Sequence, residues 1–121
     1  MHKKLFTCAV MAMMILALGT SIAHAGDSWT GEIIEKACYE KDHTNVGAGH
    51  AGCAKGCFGR GAEVGLLTED GSVIVLRANP DDDTPFEALK ELAGMMAQVE
   101  GTMVEEDGVH IVTVTSMEAV N

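Results

Sequence analysis

A chain of 121 residues with 18 acidic and 8 basic side chains carries a formal charge of −10 at pH 7. That charge repels phosphate backbones and anionic lipid headgroups, which sets nucleic-acid and lipid-surface binding aside. The length suits one domain, near the small end of what a single core stabilises, and the carboxylate surplus serves solubility first and cations or basic partners second.

Lys3 and Lys4 open the chain with positive charge, residues 5–18 are apolar apart from Thr7, and Ala23-His24-Ala25 supplies a small-x-small pattern. This is the layout of a secretory signal peptide over residues 1–25, cut before Gly26. The apolar run is shorter than the roughly 20 residues a membrane-spanning helix needs, so no span is expected after cleavage. Cys8 lies inside the run rather than just after it, which argues against a lipidated N-terminus. The expected mature protein is a periplasmic or secreted domain, residues 26–121, and losing Lys3 and Lys4 leaves six basic against 18 acidic side chains, a formal charge of −12. Losing Cys8 leaves Cys38, Cys53 and Cys57. An oxidising compartment favours paired cysteines, so the odd count leaves a thiol to explain.

Residues 29–36 alternate as a first strand, with Trp29, Gly31 and Ile33 on one face. Residues 38–61 carry no strand signal and hold all three cysteines, His43, His50 and six of the fourteen glycines. Two short apolar runs, 63–68 and 72–77, flank Glu69-Asp70-Gly71, where Asp-Gly predicts a hairpin. A helix over 84–94 is predicted next, with Thr84 as N-cap, Pro85 in the first turn, Glu87 completing a capping box and Gly94 as C-cap. Asp81-Asp82-Asp83 suits the positive end of its dipole better than calcium, since the alternating ligands of a calcium loop are missing. Residues 95–105 alternate with Met95, Ala97, Val99, Gly101 and Met103 on one face, Asp107-Gly108 turns the chain, and 109–117 is the last strand, its register open because Val109, Ile111, Val112 and Val114 do not share a face.

The order is strand, irregular connection, strand, strand, helix, strand, strand. It predicts a mainly β fold, a five-stranded OB-like Greek-key barrel with one helix between strands 3 and 4. Gly31 and Gly101 suit strands that bend to close a barrel, and a five-stranded SH3-like barrel is the competing architecture. With Trp29-x-Gly31-x-Ile33, Val99-x-Gly101 and Val112-x-Val114-x-Ser116, the chain resembles small bacterial exported OB-fold proteins. That group includes stress-tolerance modules and a haem chaperone of cytochrome c maturation. The haem chaperone holds haem through a C-terminal histidine that has no counterpart near Asn121. More loosely, Cys38 with His43 and Cys53-x-x-x-Cys57 is similar to Cys/His-containing secreted proteins of this fold, which implies no particular activity.

Cys38, His43, His50, Cys53 and Cys57 are the candidate ligands. Thiolate and imidazole together suit zinc, copper or iron, or the iron of a haem. If 49–58 is helical, His50 and Cys57 stand roughly 10 Å apart along the axis, too far for one ion. A mononuclear site would then use Cys53 and Cys57 with Cys38 and one histidine. Gly52 and Gly56 weaken that helix by about 1 kcal/mol each, and in a loop all five residues can converge. The alternative is a disulfide from Cys38 to Cys53 or Cys57 with a spare thiol, closing about 15–20 residues and contributing roughly 3 kcal/mol. The spare thiol also permits a disulfide-linked dimer. Thiol redox chemistry, with Lys55 or Arg60 lowering a thiol pKa, lacks a Cys-x-x-Cys. His110 and the methionines at 95, 96, 103 and 117 fit ordinary strand positions, and no catalytic motif is present. The sequence therefore predicts a non-enzymatic binding protein for a transition metal or haem, or else a disulfide-stabilised stress or partner-binding module.

Overall fold

The computed structural model describes residues 26–120, so the proposed leader at 1–25, Cys8 included, lies outside them. Five strands follow the alternating segments of the sequence: β1 (Asp27–Glu35), β2 (Val64–Leu67), β3 (Val73–Ala78), β4 (Met96–Glu106) and β5 (Val109–Ala119). They close into a barrel in the order β1-β2-β3-β5-β4, with β1 pairing back to β4. The β3–β5 ladder is parallel and the others antiparallel. The fold is thus mainly β and OB-like. Inward-facing Ile33, Leu66, Val99, Val112 and Val114 form its core and are at most 1% exposed; burial of each such side chain stabilises the fold by about 1.5–3 kcal/mol.

Turn chemistry sets the two hairpins. Gly71 (φ 84) ends the β2–β3 turn, and Asp107 and Gly108 both take positive φ (51 and 79) between β4 and β5, as a two-residue turn with type I′ twist requires. The open register of β5 has a structural answer. A bulge between Glu100 and Gly101 pairs Glu100 with Ser116 and Gly101 with Val114, leaving Thr115 over. There the strands approach so closely that a Cβ on Gly101 would collide with the Thr113 carbonyl.

Helix α3 (Thr84–Lys90) lies between β3 and β4 and buries Leu89 in the core. It is shorter than 84–94, and its cap differs from the predicted box. Asp83 is the N-cap with no side-chain cap bond, while Asp82 Oδ1 accepts from the Thr84 amide at 3.0 Å. Residues 91–95 tighten into successive turns that deliver Gly94 (φ 77), whose amide donates to the Ile33 carbonyl at 2.8 Å. Met95 sits outside the strand and is 49% exposed rather than inward-facing.

The β1–β2 connection is helical rather than irregular. It holds α1 (Lys36–Lys41) and α2 (Ala48–Gly59), whose Ala54 and Phe58 are buried in the core. Gly94 seats the start of α2, because a Cβ there would strike the Gly47 carbonyl. No helix among the described residues is long and apolar enough to cross a membrane.

Candidate metal centre

The chemistry of the helical connection begins where β1 ends. Trp29, Gly31 and Ile33 face inward, and the same alternation brings Glu35 to an inward position at the last residue of the strand, 2% exposed. The carboxylate caps α1: it accepts the Cys38 amide at 2.7 Å and the Ala37 amide at 3.2 Å, satisfying two of the orphan donors of the first turn. Cys38 is thereby fixed at the third helical position. Its carbonyl accepts from the Asp42 amide at 3.0 Å and from Asn45 Nδ2 at 2.9 Å, which holds the following loop against it.

Cys57 is placed by the other end of the connection. The Ala62 amide donates to the Cys57 carbonyl and the Gly61 amide to the Phe58 carbonyl, both at 3.0 Å, with Gly61 at φ 89. Those two bonds form a Schellman motif that stops α2 one turn beyond Cys57. Phe58, buried next to it, anchors the turn in the core. Arg60 Nη2 donates to Cys57 Sγ at 3.4 Å.

These two devices bring a carboxylate oxygen of Glu35 and the sulfurs of Cys38 and Cys57 within 4.8 Å of one another. Burial pushes the Glu35 carboxyl up, but hydrogen bonds from the Cys38 thiol and from the Cys38 and Ala37 amides, with His50 nearby, outweigh it and hold the group below its ordinary value. The same carboxylate, with desolvation and the two other thiols, pushes the Cys38 thiol up to about 11. Without a cation, Cys38 is therefore a protonated thiol at neutral pH, the opposite of an activated nucleophile. A metal ion held by the three donors would reverse that balance, since it favours the ionised form of each.

The five residues singled out by sequence are distributed unevenly. Cys38 and Cys57 meet in the group, and all three cysteines are free thiols. Cys53, one turn before Cys57, is exposed. His43 stacks on Tyr39 with ring centroids 4.5 Å apart and lies outside the group. His50 is in the first turn of α2; its Nε2 is buried without a hydrogen-bond partner, and its nearness acts on Glu35, yet it too lies outside the group. His50 and Cys57 are seven residues apart on α2, about 10 Å along an ideal helix axis. Glu35 is the member that Cys/His spacing does not find; its signal is a carboxylate at an inward position of an alternating strand. Of the two basic residues considered as thiol activators, Lys55 instead approaches Glu91 at 4.0 Å.

A second concavity lies on the barrel wall, where Trp29, Lys36, Asp70, Met103 and His110 line a groove of about 950 Å³. His110 Nδ1 is 3.4 Å from Met103 Sδ in it. No protein-family model, curated protein or solved structure matches this chain.

Proposed function

We propose that this protein is an exported, non-catalytic metal-binding domain that takes a transition-metal ion at Glu35, Cys38 and Cys57. The observation that carries the reading is the meeting of three ionisable donors within 4.8 Å around a carboxylate only 2% exposed. Two sulfurs and one oxygen suit a borderline divalent ion such as zinc, bonded at about 2.3 Å to sulfur and 2.0–2.2 Å to oxygen. A hard carboxylate suits Cu(I) less well than it suits zinc or ferrous iron. The space beside His50, bounded by Val46, Ala54 and Gly94, has no room for even a water molecule, and so none for a porphyrin, which favours an ion over haem.

Native mass spectrometry of protein recovered from the exported fraction tests this. The expected result is a metal adduct with all three thiols reduced, lost on Cys38→Ser. A species two protons lighter and free of metal that takes up no metal after reduction refutes it and favours the disulfide-stabilised partner-binding module. For that module the groove at Trp29 and Met103 is the natural contact surface.

A further inference from the structure

The donors of the proposed metal site include a pair of sulfurs with two mutually exclusive uses. Cys38 Sγ and Cys57 Sγ lie within 4.8 Å. A tetrahedral ion bonded to both holds them about 3.8 Å apart, whereas a disulfide draws them to about 2.05 Å. Sulfurs already within 4.8 Å of each other start close to both arrangements. Cys53 does not compete for Cys57 in the same way. On one helix the two side chains lean together toward the N-terminus rather than toward each other, a poor geometry for a bridge. Its exposed thiol is also the one turned to solvent rather than to Glu35.

We infer that Cys38 and Cys57 form a redox gate on the metal site, holding the ion as thiolates and releasing it as a disulfide. The inference rests on the metal-binding reading above. The oxidant is another disulfide. Cys57 sulfur, as thiolate, attacks one sulfur of that oxidant, and the oxidant's first thiolate leaves and takes a proton from solvent. Cys38 sulfur, as thiolate, then attacks Cys57 sulfur and expels the second thiolate, which is likewise protonated by solvent. Two cysteine thiols are oxidised by two electrons in all, one oxidant disulfide is reduced to two thiols, and the ion departs with both of its sulfur ligands spent. Reduction by two external thiols runs the sequence backward and restores the site. The two expectations drawn from the odd cysteine count, a metal site and a disulfide, become two states of the same residues, with Cys53 outside the exchange.

The test uses the full mature chain, reduced, with and without zinc, treated with oxidised glutathione. A chromogenic chelator follows released zinc, and alkylation with peptide mapping locates the bridge. Expected are a Cys38–Cys57 bridge, zinc release in step with its formation, and bridging slowed about tenfold or more by bound zinc. Cys53→Ser should behave as the parent. A dominant bridge through Cys53, or an oxidised protein that keeps its zinc, overturns the gate while leaving the metal site standing. Failure of the reduced protein to take up zinc, cobalt, copper or iron overturns the metal-binding reading itself, and the gate with it.

Discussion

Replacing Glu35 with alanine removes the carboxylate at the end of β1 that caps the helical connection. Two amide donors, Ala37 at 3.2 Å and Cys38 at 2.7 Å, lose their acceptor. Loss of an N-cap costs about 0.5–2 kcal/mol, and a hydrogen bond to a charged acceptor contributes about 1.5–3 kcal/mol. These overlap, and exposed Ala37 finds water once the carboxylate is gone, so the net cost to the metal-free protein is about 1.5–2.5 kcal/mol. For a domain of this size that corresponds to a fall in Tm of about 6–20 °C. The pH dependence follows from the direction of the shift. The folded-state pKa of Glu35 lies below its ordinary value of 4.5, so its contribution is fully present above that value and is lost as pH falls through the folded-state pKa. Urea unfolding of reduced, metal-free protein should therefore show a constant difference between parent and Glu35→Ala from pH 8 to about pH 5, closing in more acidic solution. Glu35→Gln keeps one acceptor oxygen and should lose less. A difference below about 0.5 kcal/mol, or one that persists undiminished at pH 3, refutes the assignment of Glu35 as a buried, ionised cap.

Two further outcomes follow from the same geometry. With its thiol pushed up to about 11, Cys38 should react with iodoacetamide at pH 8 far more slowly than exposed Cys53, and Glu35→Gln should speed Cys38 selectively; equal rates in the parent, read by peptide mass mapping, contradict the carboxylate–thiol contact. Gly101→Ala places a methyl against the Thr113 carbonyl at the bulge and should destabilise the fold by about 1–3 kcal/mol through overpacking, measured as a lowered urea midpoint with unchanged m-value.

The barrel was legible because its signals are local. Asp-Gly pairs mark both hairpins, and strict alternation marks β1 and β4. What escaped depended on contacts between distant segments. The register of β5 turns on a bulge opposite Glu100 that no property of residues 109–119 announces. Helix α2 contains Gly49, Gly52, Gly56 and Gly59, a composition that opposes helix by about 1 kcal/mol at each interior glycine. It forms because Ala54 and Phe58, one turn apart, are buried together in the core, and because Gly61 supplies the left-handed residue that ends it. Once that helix exists, His50 and Cys57 stand seven residues apart on it, and the donors that meet within 4.8 Å are Cys38, Cys57 and Glu35 rather than a histidine.

Cap chemistry, more than core packing, sets the position of the donors. Cys38 is held through backbone bonds at the start of a six-residue helix, and Cys57 through the Schellman bonds at the end of α2. Neither sulfur belongs to the close-packed barrel interior, where a displacement is resisted by the density of the surrounding side chains. On the proposed readings, closing two sulfurs around an ion, or drawing them into a bond, would therefore reshape the connection between β1 and β2 rather than the ladders of the barrel. Glu35 is the exception, being both the last inward residue of β1 and a donor of the site. On the proposed metal-binding reading, occupancy would reach the barrel through Glu35 and through Phe58 beside Cys57, and Glu35 is where coupling between metal uptake and fold stability has to be measured.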